Sequence, residues 1–246
     1  MKVSCIIPAY NEQSTIVRVI AVVKKVKAIN EIIVVDDGST DQTYEYANTQ
    51  GVKVFKHPKN RGKGAAIKTG MTHCKGDFIL FIDADITNLD GNKIINMISP
   101  LKSRKADVVI GTYKFNCYQT FTEVVYKPLM NLLFPEVILK IREGHLSGER
   151  GFSRKVLDKL RLKDGFDLEA VMNIELTMMK PSPRIAFVNL GDIRLRPKGY
   201  QKSMEKIAYS IIEEANKHKR ANRLKNSSFL KCSQLLCRSV RGANIK

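Results

Sequence analysis

Short apolar runs alternate with amphipathic segments of helical length through the first hundred residues of the chain. The apolar runs occupy residues 3–7, 32–36, 52–56 and 78–82, and segments with helical spacing of apolar side chains occupy residues 14–28, 41–50 and 64–74. Strands that alternate with helices in this way form βαβ units. The unbroken apolar character of IIVV and FILFI is typical of strands buried on both faces of a sheet. The pattern therefore predicts an α/β fold with a mostly parallel sheet flanked by helices.

The second half of the chain continues the pattern less regularly. It predicts helices over 91–104 and 166–179, strands over 106–113 and 185–190, and an apolar stretch over 116–141 that Pro128 and Pro135 interrupt. From Ser203 the apolar residues again follow helical spacing, and a basic segment comes after them. We predict one domain over residues 1–200, with a basic helical C-terminal extension over 201–246.

The chain is strongly basic. Its 246 residues include 42 Lys and Arg against 24 Asp and Glu, a net charge of +18. Such a charge favours an anionic partner such as a nucleotide, a phosphorylated metabolite, a nucleic acid or an acidic lipid. The five cysteines show no metal-ligand spacing and are expected to be reduced. No stretch has the length of a membrane span or of a signal-peptide core, so we expect a cytoplasmic protein.

Polar residues follow each of the first four predicted strands. They lie in the stretches PAYNE (8–12), DDGS (36–39), HPKNRGKG (57–64) and DAD (83–85). Parallel sheets bind ligands in the crevice outside the carboxyl ends of their strands, and all four stretches are predicted to meet there. Each alone is weak evidence, because DG is common in turns and an acidic residue is common in the first turn of a helix. Their convergence predicts a binding site.

The chemistry of these stretches suits a diphosphate and a divalent cation. On an extended backbone, Asp83 and Asp85 would point to the same side, and two such carboxylates suit Mg²⁺ or Mn²⁺. Asp36 and Asp37 can accept hydrogen bonds from a base or a ribose, and Lys63 supplies a positive charge for phosphate. The glycines of RGKG are predicted to let the backbone approach the ligand. Their spacing differs from that of a P-loop.

The four stretches resemble the nucleotide-sugar glycosyltransferases of family 2 and their GT-A relatives. The matching pieces are IIPAYNE, VVDDGSTDQT, NRGKGAAIKTG and FIDADI, within residues 1–115. The resemblance implies a GT-A, Rossmann-like sheet whose first half, 1–115, binds the nucleotide sugar and whose second half, 116–200, binds the acceptor. It implies Mg²⁺ or Mn²⁺ and a donor that is a UDP-sugar rather than a GDP-sugar.

The resemblance also assigns the donor site residue by residue. Asp37 would contact the base, Lys63 the base or the diphosphate, and the D-x-D of Asp83 and Asp85 the ribose and the metal. The predicted donor-binding set is Pro8, Ala9, Tyr10, Asn11, Glu12, Asp36, Asp37, Gly38, Lys63, Asp83, Ala84 and Asp85.

The second half resembles glucosyl-3-phosphoglycerate synthases and, more loosely, polyprenyl-phosphate mannose or glucose synthases. The matching pieces begin at residues 122, 146, 164 and 188. The resemblance implies an acceptor-binding set of Thr122, Ser147, Gly148, Glu149 and Glu169, and a catalytic set of Asp85, Lys63, Glu149 and Glu169. In two places the sequence departs from the synthases: Leu195 aligns with a metal-binding His, and Thr120 aligns with an acceptor-binding Arg.

These features predict a metal-dependent hexosyltransferase that uses UDP-glucose and a small anionic acceptor such as 3-phosphoglycerate. One alternative is a polyprenyl-phosphate hexosyltransferase, with residues 217–240 touching an anionic membrane surface. Another is a basic nucleic-acid-binding module, which the net charge alone suggests. A nucleotidyltransferase is disfavoured because no Gly-rich loop follows the first strand. SGERGF holds no Glu-Asp pair for a general base, so the sequence leaves open whether the reaction retains or inverts the configuration of the sugar. It also leaves open whether the protein forms a homodimer.

Overall fold

The computed structural model of the protein describes residues 1–114, 122–165, 167–196, 201–220 and 222–225. Its strands are β1 (Val3–Ala9), β2 (Glu31–Asp36), β3 (Lys53–Lys56), β4 (Phe78–Phe81), β5 (Val108–Lys114), β6 (Arg150–Ser153) and β7 (Ile185–Asp192). Its helices are α1 (Ile16–Lys25), α2 (Thr43–Asn48), α3 (Lys63–His73), α4 (Gly91–Lys102), α5 (Lys127–Leu133), α6 (Pro135–Lys140), α7 (Arg154–Leu157), α8 (Leu168–Met178), α9 (Gln201–Lys217) and α10 (Asn222–Lys225). A π-helix covers Thr122–Tyr126.

The described strands form one sheet in the order β3-β2-β1-β4-β6-β5-β7. Strands β1, β2, β3 and β4 pair in parallel, and β5 pairs in parallel with β7. Strand β6 is antiparallel to both of its neighbours, β4 and β5. The chain moves from β1 outward to β3 and then returns to place β4 on the other side of β1. Such a reversal opens a crevice at the carboxyl ends of the two central strands.

Side chains that alternate along the central strands build a core on each face of the sheet. On one face, Ile6 and Phe81 pack with helices α3, α5 and α8. On the other face, Ile7 and Leu80 pack with helices α1 and α4. Because both faces are covered, the strands carry the unbroken apolar runs seen in the sequence. Cys5 and Cys74 are free and buried within these cores.

The predicted strands and helices of the first half are confirmed, with ends displaced by a few residues. In the apolar stretch from 116 to 141, Pro128 and Pro135 stand in the first turns of α5 and α6. Proline fits there because the first helical N–H groups need no partner within the helix. The prolines thus begin two short helices, and residues 115–121, with Thr120, lie outside the described part of the chain.

Strand β6 was missed in the sequence. Its four residues, RGFS, include a glycine and a fully buried arginine. The Arg150 guanidinium donates hydrogen bonds to the Ser147 carbonyl at 2.8 Å, the Asn173 side-chain oxygen at 2.8 Å and the His145 carbonyl at 3.1 Å. These bonds offset the cost of burying the charge. They also fix the segment 145–150 beneath the carboxyl end of β4.

Helix α9 lies against the domain. Its side chains Ile207, Ile211 and Ala215 are buried in the same core as Phe81, and the helix contacts α8 and α5. Of the residues predicted to touch a membrane, those from 226 onward lie outside the described part of the chain. No helix among the described residues is both long enough and apolar enough to cross a bilayer.

Candidate active site

A cleft of about 390 Å³ opens at the carboxyl ends of β1, β2 and β4. Ten of the twelve residues predicted to bind the donor line it, namely Pro8, Ala9, Tyr10, Asn11, Glu12, Asp37, Lys63, Asp83, Ala84 and Asp85. Asn60, Ala66 and Arg196 complete the lining. The convergence expected from the strand pattern is therefore present in the structure, and Asp36 and Gly38 are the two predicted residues outside the lining.

The D-x-D segment lies beyond the end of its strand. Strand β4 ends at Phe81, and residues 84 and 85 form a turn. Asp83 and Asp85 both line the cleft, but Asp83 follows the strand and Asp85 lies in the turn, so neither belongs to the extended strand that the sequence suggested.

Lys63, in the first turn of α3, forms ion pairs with Asp83, which follows β4, and with Glu169 of α8. Its Nζ lies 2.6 Å from Asp83 Oδ1 and 2.8 Å from Glu169 Oε1. Burial alone would lower the pKa of Lys63, but the two carboxylates outweigh burial and raise it well above its usual value. The side chain is therefore a fixed cation, and its charge offsets the repulsion between Asp83 and the other acids of the site.

Asp37 holds the loop that carries Lys63. Its Oδ1 accepts the Arg61 N–H at 3.0 Å and lies 2.6 Å from His57 Nδ1, while its Oδ2 accepts the Gly62 N–H at 2.7 Å. Sequence reasoning did not identify His57, whose Nε2 is in turn 2.9 Å from the Thr69 hydroxyl. Asp37 therefore has two roles: its side chain lines the cleft, and its hydrogen bonds fix the backbone of Arg61 and Gly62 next to Lys63.

Asp36 and Gly38 support the turn behind the cleft. The Asp36 carboxylate is buried and accepts hydrogen bonds from the Ser39 N–H, at 3.2 Å, and from the Ser39 hydroxyl. Burial raises the pKa of Asp36, and the bonds from Ser39 oppose that rise. Gly38 has φ +73°, and a Cβ atom there would lie 2.4 Å from the Lys59 carbonyl carbon.

The glycines of RGKG make room for another part of the protein. A Cβ atom at Gly64 would lie 1.7 Å from the Lys163 carbonyl oxygen, and one at Gly62 would lie 2.4 Å from the Asp164 carbonyl oxygen. The backbone that approaches these glycines belongs to residues 163–165, and a close approach of a ligand to them stays a prediction.

Glu12 and Arg196 form an ion pair at the rim of the cleft. Arg196 Nε lies 3.0 Å from Glu12 Oε2, and the guanidinium also donates to the Asn11 carbonyl at 2.6 Å. The Glu12 side chain is 1% exposed, so the pair fixes Arg196 facing the cleft. Arg196 was missed in the sequence, although it lies in the matching stretch VNLGDIRLRP.

The segment before Arg196 runs alongside the D-x-D turn. Leu195 forms an antiparallel bridge with Ile86, and the Arg196 N–H donates to the Asp85 carbonyl at 2.9 Å. Position 195 thus adjoins the carboxylates, as the alignment with a metal-binding His requires, but leucine has no ligand atom. Among the described residues, no group of three or more His, Cys, Asp or Glu side chains has a metal-binding arrangement.

The segment 147–149 lies directly under the Lys63–Asp83 pair. A Cβ atom at Gly148 would lie 2.2 Å from Asp83 Oδ2 and 2.4 Å from Lys63 Nζ. The Ser147 hydroxyl donates to Glu149 Oε2 at 3.2 Å. None of the five predicted acceptor residues lines the cleft itself. Three of them lie in this segment, Glu169 contacts Lys63, and Thr122 begins the π-helix.

Glu149 is fully buried beside the acidic residues of the site. Burial raises its pKa to about 7 and Asp83 adds to the rise, whereas Lys63 and a hydrogen bond from Tyr113 oppose it. A carboxyl with a pKa near neutrality changes its charge within the working range of most enzymes, a property that general acids and bases share.

We expect Gly64→Ala to destabilise the protein, because its new methyl group overlaps the Lys163 carbonyl. The loss should be about 2 kcal/mol or more in the free energy of unfolding, as for other overpacked sites. Gly91→Ala is the matched control: Gly91 also stands in the first turn of a helix, and its Cβ would lie 3.5 Å from Val26. Urea unfolding of both variants measures the difference, and equal stabilities would contradict the close packing.

We expect Glu149 to make the protein less stable as the pH rises. Its pKa in the folded state, about 7, exceeds its ordinary value of 4.5. Its favourable contribution to the free energy of unfolding is therefore fully present at a pH below the ordinary pKa. That contribution is lost as the pH passes through the higher value, on the order of 1–3 kcal/mol in total.

The measurement is urea unfolding of metal-free protein from about pH 5 to about pH 8. The Glu149→Gln variant should lose less stability than the wild type over this range, and Glu143→Gln, at an exposed position, should follow the wild type. Parallel profiles for Glu149→Gln and wild type would show that Glu149 titrates normally.

Known proteins resemble this chain over most of its length. The chain is 28% identical over 238 residues to the glucosyl-3-phosphoglycerate synthase of Petrotoga mobilis, which covers 87% of this chain and 72% of that protein. It is 34% identical over 151 residues to the dolichyl-phosphate beta-glucosyltransferase of Saccharomyces cerevisiae, which covers 52% of this chain and 44% of that protein.

A solved structure shows the same architecture. The glucosyl-3-phosphoglycerate synthase of Mycobacterium tuberculosis, in complex with Mn²⁺, UDP and phosphoglyceric acid, matches with a TM-score of 0.77 and 27% identity over 87% of this chain and 78% of that chain. The predicted GT-A fold is thereby confirmed. The sequence profile of "Glycosyl transferase family 2" matches residues 4–161, which confirms the predicted class of enzyme. The chain belongs to glycosyl transferase family 2.

Proposed function

We propose that this enzyme transfers a glucosyl group from UDP-glucose to a small anionic acceptor such as 3-phosphoglycerate, with Mg²⁺ or Mn²⁺ in the donor site. The observation that carries the proposal is the cleft, where a lysine and two carboxylates lie at one end of a wall formed by residues 8–12. Related enzymes named for this reaction match 87% of the chain.

The nucleoside would occupy the wall and the diphosphate would lie over Lys63. Tyr10 is 42% exposed, so its ring is available to a base, and Asp37 and Asn60 face the same space. Phosphate oxygens would compete with Asp83 and Glu169 for the Lys63 ammonium, which is held at a fixed place by both. Fixed donors stabilise the charge that develops on a leaving diphosphate without further reorganisation.

Asp85 and Asp83 are the residues that would hold the metal ion. Carboxylate oxygens are the ligands that Mg²⁺ and Mn²⁺ prefer, and Mg²⁺ binds through one or two carboxylates together with phosphate oxygens and water. The bound ion would neutralise negative charge on the diphosphate leaving group. With leucine at position 195, water or phosphate would supply the remaining ligands.

The sugar and the acceptor would meet beside Lys63 and the segment 147–149. Glu169 reaches Lys63 from the side of α8, which places its carboxylate where sugar hydroxyls could bond to it. Gly148 packs directly against the ion pair, where a side chain would overlap it, and Glu149 lies behind it with a pKa near neutrality. Binding of the acceptor by Thr122 and Ser147 follows from the resemblance to the synthases.

A lipid-phosphate acceptor is the second candidate function. The observation that favours it is the similarity of half of the chain to dolichyl-phosphate glucosyltransferases, at 34% identity in the yeast enzyme. The longer match to the synthases extends through 87% of the chain, and for this reason we favour the small acceptor.

An acceptor screen tests the choice directly. We expect the enzyme to release UDP from UDP-glucose faster with 3-phosphoglycerate than with undecaprenyl phosphate in detergent, and to form a glucosylated product that mass spectrometry detects. GDP-glucose in place of UDP-glucose is the control for the donor. Faster turnover with undecaprenyl phosphate would favour the lipid-phosphate function, and no turnover with any donor would contradict both.

We expect Asp85→Asn to remove the metal-dependent part of nucleotide binding. In calorimetric titrations with UDP, Mn²⁺ should strengthen binding to the wild type by about tenfold or more, which corresponds to about 1.4 kcal/mol. The variant should bind UDP equally with and without Mn²⁺. Asp158→Asn is the control, since Asp158 is 53% exposed on α7's C-terminal side and far along the chain from the cleft residues. An undiminished effect of Mn²⁺ in Asp85→Asn would exclude Asp85 as a ligand.

A further inference from the structure

Residues 163–165 pack on the backbone around Lys63 and, together with Asp167, are here named the 163–167 loop. The Ala65 N–H donates to the Asp164 carbonyl at 3.0 Å. The absence of side chains at Gly62 and Gly64 permits this contact, since a Cβ atom at either position would overlap the loop. The first turn of α3, where Lys63 begins the helix, therefore rests directly on the loop.

The same loop also leads to the side chain that holds the Lys63 ammonium. Helix α8 begins at Leu168, immediately after the loop, and Glu169 in its first turn lies 2.8 Å from Lys63 Nζ. A displacement of the loop would thus move the backbone and the ammonium of Lys63 together.

Helix α9 holds the loop from its other side. The Ser210 hydroxyl donates to Asp167 Oδ2 at 2.6 Å, and both residues are buried. Lys163 Nζ lies 2.8 Å from Glu213 Oε2 and 3.9 Å from Glu214 Oε1. Both ends of the loop are therefore connected to one helix.

The use of Asp167 is unusual for its place in the chain. It occupies the N-cap position of α8, where aspartate commonly accepts a hydrogen bond from the helix's own N–H groups. The Asp167 side chain makes no such capping bond, and its carboxylate instead bonds to Ser210. The residue thus connects α8 to α9 two positions before Glu169, the residue that contacts Lys63.

We propose that helix α9 positions Lys63 for the donor, and that Ser210 and Lys163 are positioning residues that act through the 163–167 loop. Lysine has a long flexible side chain whose place must be fixed from outside, and small displacements of a group that binds the reacting phosphate reduce its effect on the reaction. Helix α9 thereby has a role in the site that lies on the opposite side of the 163–167 loop. The expected effect of these residues on UDP binding rests on the proposed function. Their expected effect on the order of the backbone at Lys63 does not.

Four full-length variants test the proposal. Ser210→Ala removes the hydroxyl at no cost in helix propensity, and Ser210→Thr retains it. Lys163→Gln removes the ion pairs at a partly exposed position, so it remains informative if Ser210→Ala fails to fold. Tyr209→Ala is the matched control, because Tyr209 neighbours Ser210 on the same helix and is 72% exposed.

Amide hydrogen exchange is the first readout. The Ala65 amide reports on the contact with the loop, and the Ala66 amide, which donates to the Gly62 carbonyl at 3.1 Å, reports on the first turn of α3. The Val34 amide, in a central strand, reports on the stability of the whole domain. In Ser210→Ala and Lys163→Gln, exchange at Ala65 and Ala66 should accelerate by about three- to tenfold more than at Val34, as expected for the loss of one hydrogen bond or ion pair. Ser210→Thr and Tyr209→Ala should resemble the wild type.

UDP binding in the presence of Mn²⁺ is the second readout. We expect the dissociation constant to rise by about three- to tenfold in Ser210→Ala and Lys163→Gln, and Ser210→Thr to restore it. Equal acceleration of exchange at Ala65 and Val34 would overturn the proposal, because α9 would then only stabilise the fold. Failure of the wild type to bind UDP would contradict the proposed function, while the exchange rates would still decide the role of α9.

Discussion

The ion pair between Lys63 and Asp83 is the interaction on which the arrangement of the site depends. Asp83 comes from the end of β4, Lys63 begins α3, and Glu169 approaches the same ammonium from α8 at 2.8 Å. Three elements that are remote in sequence are thus joined at one charge. Removing one member of such a buried set leaves the others uncompensated, which is far more costly than an exposed ion pair would suggest. The same set leaves an ordered cation facing the cleft.

Close packing of backbone on backbone supports this charge set. Gly62 and Gly64 let the 163–167 loop contact the first turn of α3, and Gly148 lets another segment contact the ion pair from below. The sequence showed that glycines were needed around Lys63, but it could not show whether a ligand or the protein itself would fill the space they leave. The contacts with residues 163–165 join positions about one hundred apart in the chain, and no local pattern records them.

The sequence predicted two kinds of feature well: the strands and helices that follow from local patterns, and the meeting of polar residues at the ends of parallel strands. The alternation of apolar runs and helical segments gave the strands of the first half, and the rule for parallel sheets placed ten of the predicted donor residues in one cleft. Strand β6 was missed because its burial comes from tertiary hydrogen bonds to Arg150 and not from an apolar pattern. Arg196 was missed because its partner, Glu12, is 184 residues away.

The charge around the cleft differs in sign from the charge of the chain. The whole sequence carries +18. Among the described residues, however, Asp83 and Glu169 pair with the Lys63 ammonium, Asp85 lines the same cleft, and Glu149 lies behind Asp83. Arg196 is already paired with Glu12. A diphosphate brings at least two further negative charges into this space. Lys63 alone cannot compensate both the carboxylates and the phosphates, and burial makes each uncompensated charge expensive. A divalent cation that enters with the nucleotide would correct the imbalance, and the basic surface beyond the cleft would attract the anionic donor and acceptor towards it. The distribution of charge, more than its total, thus supports a metal-dependent reaction between two anions.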